Sequence, residues 1–451
     1  MRTVNVKISA FLLNFIFLFS CLQNLIAQNN PIITLEGEFS AHTTDRAYFN
    51  SPITSANGAL FIAFINKDLQ LIVAKKDSGL WQQTVVDSAV YPSTWHSAAS
   101  LGIDRQGYIH VVGNMHSTPW QYHRSILPGD ISAWEFRGQD AGQNKGHTVS
   151  AADVRDTWMA AGTAAIPGNQ ITYAFMRNDR NGQLYVAFRE CFYCDRSDYY
   201  AREWSAGIAR YDEDSQTWLR IGGTQPWAHD TGFVPLGMRM AFDIRNRMHV
   251  SWLWYDHYKK DRSHDTAPNF PAYAQSSDSA GSFYRSDLQT LELPIEFSQT
   301  DTLWSPFDLA PNSKGYFERY TDIAVAPNGS PYVVLFPKSP STGRKRSYTT
   351  YVPGFGWTKP ETMPWAATRL LIDSKGMMTA ISSGVRIHRK KLDEQNWKTY
   401  TIDLSGGGCL VTPDYKYFEE TDNLRIYALQ NRSASTVKLR IYTVSFPDTG
   451  E

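Results

Sequence analysis

Short apolar runs, each opened by an Asn, Asp or Gly turn, punctuate this chain from its first third to its end. The pattern returns at Asn57-Gly58-Ala59-Leu60-Phe61-Ile62-Ala63-Phe64, Gln106-Gly107-Tyr108-Ile109-His110-Val111-Val112 and Asn181-Gly182-Gln183-Leu184-Tyr185-Val186-Ala187-Phe188. It continues at Asn246-Arg247-Met248-His249-Val250-Ser251-Trp252, Asn328-Gly329-Ser330-Pro331-Tyr332-Val333-Val334, Lys375-Gly376-Met377-Met378-Thr379-Ala380 and Asp422-Asn423-Leu424-Arg425-Ile426-Tyr427-Ala428. Each run is too short for a helix and rich in β-branched and aromatic residues, so each predicts a strand entered from a tight turn. Seven copies recur at spacings of roughly 50 to 80 residues, close to a blade of four strands with variable loops, which predicts an all-β, seven-bladed β-propeller. Trp218, Trp357 and Trp397 end later strands of several units and are expected to pack blade on blade rather than stack on sugars.

The N-terminus follows different rules. Arg2 and Lys7 precede an almost unbroken apolar run from Ile8 to Leu18, the pattern of an export signal. Residues 1–27 are therefore set aside, leaving residues 28–451 as a single propeller domain. Cleavage after Ala27 gives a secreted soluble protein; cleavage before Cys21 gives a lipid-anchored one. Soluble secretion is the preferred reading, because Phe19 is bulky for a lipoprotein signal.

Composition changes the picture in two ways. Aromatic residues make up 14% of the chain, with 14 Trp and 24 Tyr, which suits a β-rich repeat protein. The 44 basic and 44 acidic residues cancel, which argues against nucleic acid or an anionic membrane as partner. No membrane span is expected, and the chain is read as a monomer. Recognition of an acidic substrate must then be local.

Candidate chemistry gathers in two places. One is histidine-rich: His96, His110, His116, His123 and His147. His110 occupies a repeat position also held by Tyr185 and His249, so it reads as a structural strand histidine, whereas His116 is expected to reach the mouth of the central funnel, and both His96 and His116 are read as functional rather than as loop histidines satisfied by backbone. The second place is Thr172-Tyr173-Ala174-Phe175 followed by Phe188-Arg189-Glu190, where Arg189 is expected to face the funnel unless it pairs with Glu190 or Asp195. Long insertions are expected at 124–170, 190–240 and 256–300, where function on a rigid scaffold tends to sit.

These segments resemble the sialidase-like propellers that include the seven-bladed ulvan lyases, through the spacing from His96 to His116 and the Tyr173/Arg189 pair. The resemblance implies that His96 and Tyr173 transfer protons, that Arg189 neutralises a uronate carboxylate and that His116 assists. Tyr255, chosen from strand depth, would complete the substrate site. Such an enzyme would cut an acidic, ulvan-like polysaccharide by β-elimination. The residue types suit that reaction independently: a planar arginine can hold the developing enediolate, and histidine and tyrosine can exchange protons beside it. A sialidase-like hydrolase and a non-catalytic glycan-binding propeller are the rival readings. Hydrolysis calls for paired carboxylates or a set of arginines, for which only Arg177 and Arg239 could join Arg189.

Cys191 and Cys194, with His257 and His264 in the next unit, read as a closed tetrahedral zinc site of structural type; a disulfide is the alternative in an oxidising compartment. No organic cofactor is expected.

Overall fold

The computed structural model describes residues 30–447 apart from 44, 46–48, 89, 91–95, 117, 139–165, 167–169, 194–202, 257–268, 277–279, 302, 305–315, 318–319, 339–345, 403–409 and 431–435. The expected export signal, Cys194, His257, His264, Asp195 and His147 lie outside the described residues. Seven antiparallel sheets follow one another along the chain as the blades of a propeller. Their first strands are Ile53–Ala56, Ser100–Ile103, Thr172–Asn178, Val234–Phe242, Asp322–Val325, Ala367–Ile372 and Leu410–Pro413, which line the central axis and touch their neighbours.

Every one of the seven sequence runs is the second strand of its blade rather than the innermost one: Ala59–Ile65, Ile109–Val112, Leu184–Tyr193, Met248–Tyr255, Pro331–Leu335, Met377–Ser382 and Leu424–Leu429. Position explains their composition. A second strand is covered on both faces by adjacent blades, so Ala59–Ile65 and Met248–Tyr255 are buried along their full length; the first reads as a continuous apolar run, and the second is broken only by His249 and Ser251.

Four of the polar turns before them share one device. The carboxylates of Asp104, Asp179, Asp243 and Asp373 accept backbone N–H groups of Tyr108 (2.9 Å), Gln183 (2.9 Å), Arg247 (2.8 Å) and Met377 (2.7 Å). Gly107 and Gly182 supply positive φ values of 89° and 82° in these turns, where a side chain would be strained. The aspartates also anchor the strand histidines. His110 is fully buried between Tyr122 (2.7 Å) and Asp104 (3.1 Å), and His249 between Tyr273 (2.7 Å) and Asp243 (3.6 Å). Burial lowers the pKa of both imidazoles. Both are structural, as the repeat position implied for His110. Trp218 packs inside the core beside Tyr122 and Tyr211, so it too is a core residue.

The ring is closed by a strand that no repeat contains. Ile32–His42 forms the outermost strand of the last blade, antiparallel to Thr436–Ser445 from Ile32↔Ser445 to His42↔Thr436. The segments expected as pure insertions also hold blade strands, among them Trp134–Phe136, Glu203–Asp212 and Thr217–Arg220.

Just past the closure strand, the buried carboxyl of Asp45 bonds the phenol of Tyr427 in the last blade. Burial pushes its pKa up to about 7. The folded chain therefore holds this proton at pH values where the unfolded chain has released it. Its stabilising contribution is complete below about pH 4 and is lost as pH rises through about 7. We expect the melting temperature of the wild type to fall relative to that of Asp45→Asn as pH is raised across this window, and parallel curves would refute the assignment.

Candidate active site

First strands begin and second strands end on one face of the propeller, so side chains at those termini meet there. His96 precedes the first strand of blade 2 and His116 follows its second; Tyr173 opens the first strand of blade 3 and Arg189 lies near the end of its second. The structure brings all four together. The imidazoles of His96 and His116 stack with centroids 3.7 Å apart and planes within 6°. The Tyr173 ring lies 5.5 Å from His96, and the Arg189 guanidinium carbon 4.8 Å from the Tyr173 centroid. All four side chains are half-buried, neither sealed in the core nor free in solvent.

Backbone distortion aims Tyr173. Thr172 pairs with Arg189 and Phe175 with Ala187, so Tyr173 and Ala174 together oppose the single residue Phe188 in a β-bulge. Tyr173 adopts a φ of 62°, a conformation costly for an aromatic residue. The neighbouring blade makes the same bulge between Leu236 and Arg239 and fills the equivalent place with Gly237, φ 68°. A tyrosine at a glycine position keeps its strain in exchange for a phenol pointed at the cluster.

A buried polar frame holds the loops in register. Asn50 donates through Nδ2 to the carbonyls of Ala98 (3.0 Å) and Ala174 (3.2 Å), and Ser100 Oγ donates to Ala174 O (2.6 Å). Asn114 N donates to Ser97 O (3.0 Å), tying the His96 loop to the His116 loop. Blades 1, 2 and 3 thus support the cluster as one unit.

Strand alternation separates the two charges of the Arg189-Glu190 pair. Glu190 is fully buried and bonds Arg220 from the far side (Nη1 to Oε2, 3.0 Å), so it does not neutralise Arg189. Arg189 donates through Nη2 to Thr172 Oγ1 (3.3 Å), and among the described residues no carboxylate pairs with it. A second ring, Trp204, lies 4.2 Å from its guanidinium carbon on the cross-strand partner of Cys191.

Other expectations fall elsewhere. Tyr255 is only 5% exposed and packs with Cys191, Trp204 and Val234, behind the cluster rather than in its opening. Arg177 and Arg239 do not join Arg189: Arg177 pairs with Glu419, and Arg239 is buried on the axis, donating to Phe49 O (3.1 Å). Burial and the nearby Arg369 charge lower its pKa to about 10. The zinc reading needs correction at Cys191, whose sulfur is disulfide-bonded and so is not a thiolate ligand. Among the described residues no group of three or more His, Cys, Asp or Glu is placed to hold a metal ion.

Sequence reasoning missed Phe49, Asn50 and Trp204. The Phe49 ring lies tilted 4.1 Å from Tyr173 and edge-on 5.9 Å from Tyr320, so aromatic residues at the entrances of first strands in blades 1, 3 and 5 line one another. That pattern becomes legible only once the first strands are known.

Solved structures share this fold. The chain superposes on a polysaccharide lyase, Uly1, with a TM-score of 0.63 at 12% identity, covering 92% of this chain and 100% of that one. A PL25 ulvan lyase gives 0.64 at 10% identity over 90% and 95%, and the same kind of enzyme bound to -[GlcA(1-4)Rha3S]- gives 0.63 at 11% over 90% and 95%. At such identities the likeness speaks to architecture alone. No curated protein matches the chain. The sequence profile described as a BNR repeat-containing family member matches residues 59–365, more than half of the chain, and the chain therefore belongs to the BNR repeat-containing family.

Proposed function

We propose that this protein is an exported polysaccharide lyase that cleaves a uronate-containing, sulfated, ulvan-like polymer by β-elimination, leaving unsaturated uronate ends. The observation that carries the reading is the convergence of His96, Tyr173 and Arg189 in one half-buried cluster with Arg189 unopposed by a carboxylate among the described residues. The fragment bound by the PL25 ulvan lyase, -[GlcA(1-4)Rha3S]-, is the polymer unit this reading takes as its substrate.

In this mechanism Arg189 binds the uronate carboxylate and stabilises the charge that builds on it when the adjacent C5 proton is removed. One of His96 and Tyr173 takes that proton, and the other delivers a proton to the O4 leaving oxygen as the C4–O bond breaks. The new C4–C5 double bond absorbs in the ultraviolet. His116, stacked on His96, restrains its ring. Among the described residues, the groups around Tyr173 and Arg189 are rings, a threonine and imidazoles, and the two flanking carboxylates of hydrolysis are not among them.

The test is to follow ultraviolet absorbance and reducing ends together on ulvan, heparin-type, alginate and pectin polymers. Reducing ends without absorbance would replace the lyase reading with a hydrolase. Tyr173→Phe keeps the ring and removes only the hydroxyl, so turnover is expected to fall by about 10² or more with the melting temperature nearly unchanged. Full turnover in that variant would remove Tyr173 from the chemistry.

A further inference from the structure

Arg189 sits between two rings. The guanidinium carbon is 4.2 Å from the Trp204 ring centroid and 4.8 Å from that of Tyr173, while among the described residues a single hydrogen bond, to Thr172, holds one of its five N–H donors. Its Nε is buried with no hydrogen-bond acceptor among the described residues. A guanidinium placed over two rings, with most of its N–H donors unused among the described residues, has donors to offer a ligand, since guanidinium can pack on rings through its plane and bind carboxylates within it. Trp204 is itself buried: it is 1% exposed, packs against Tyr255 and Val234, and lies directly across the strand pair from the disulfide-bonded Cys191.

We infer that Trp204 is a positioning residue that presents Arg189 to the carboxylate of a uronate, setting the preference for acidic over neutral sugars without touching the substrate. The inference deepens the proposed function and rests on its reading of Arg189 as a carboxylate clamp, though not on the elimination step. Physically, an unstacked arginine spreads over many rotamers and binding must freeze them, whereas the Trp204 face and the Thr172 hydroxyl freeze them beforehand.

The experiment uses the full chain in the Tyr173→Phe background, which retains the second ring while slowing turnover. Calorimetric titration compares a uronate oligosaccharide with the same oligosaccharide after reduction of its carboxyl groups to alcohols. The background protein is expected to bind the carboxylated form more tightly. Adding Trp204→Leu, which keeps apolar bulk but has no π face, is expected to weaken that binding about fivefold to tenfold and leave the reduced form unaffected. Trp204→Phe is expected to restore most of the loss. Should the leucine variant fail to fold, Trp204→Met, closer to tryptophan in reach, takes its place with the same expectation.

Equal affinity in the leucine, methionine and phenylalanine variants would overturn the inference, as would a background protein that does not distinguish the two oligosaccharides. Discrimination by carboxylate in a wild-type protein that never generates unsaturated ends would leave the inference standing and sink the lyase reading instead.

Discussion

Replacing Arg189 with alanine is expected to lower turnover on a uronate polymer by about 10²- to 10³-fold, the scale observed when one preorganised charge-stabilising donor is removed from an active site. The fold should survive, because Arg189 is half-buried and contributes one hydrogen bond to Thr172 and two ring contacts, together worth about 1–2 kcal/mol. Arg189→Lys should recover only a small part of the activity, since an ammonium can neither stack between Tyr173 and Trp204 nor offer two parallel donors. Initial rates of ultraviolet absorbance, read beside circular dichroism of each variant, decide the matter. Full activity in the alanine variant would dismiss the carboxylate clamp.

The second large effect concerns stability. A variant beginning at Thr43 lacks the closure strand and is expected to melt more than about 10 °C below the parent chain, or to aggregate on refolding. Two losses combine. The ladder from Ile32↔Ser445 to His42↔Thr436 disappears, exposing Thr436–Ser445 as an open edge. The glue between the last blade and the first also goes: Phe39 packs on Phe64 and Trp81 (5.3 and 4.9 Å), Trp81 Nε1 donates to Glu36 O (2.7 Å), and Lys76 pairs with Glu36. Phe39→Ala isolates the packing contribution and should cost about 3 kcal/mol. An unchanged melting temperature in the shortened variant would mean that the ring does not depend on this seam.

Arg177 and Arg239 show how a plausible functional residue on paper becomes structural in the fold. Both stand on first strands, Arg177 in the strand that Tyr173 opens and Arg239 in that of the next blade, yet one is spent on Glu419 and the other is sealed on the axis beneath Phe49. Tyr173 shows the reverse. Nothing in its local sequence announces a left-handed residue; the bulge opposite Phe188 creates it, and comparison with Gly237 reveals what it displaces.

What the chain determined by itself is the repeat. A strand covered on both faces is mainly apolar, with polar members such as His110 and His249 paired inside, and the tight turn before it carries Asp, Asn or Gly, so seven second strands and their turns are written locally from Ala59–Ile65 to Leu424–Leu429. The residue types of the candidate site, two histidines, a tyrosine and an arginine, were legible for the same reason: their chemistry is a property of the side chain. Tertiary structure alone decided which of them meet. The stacking of His96 on His116, the placement of Arg189 between Tyr173 and Trp204, the withdrawal of Tyr255 and Cys191 into a packed cluster, and the pairing of residue 32 with residue 445 all join positions far apart in the chain. Such contacts depend on blade register and ring closure, and no local pattern of polar and apolar residues encodes them.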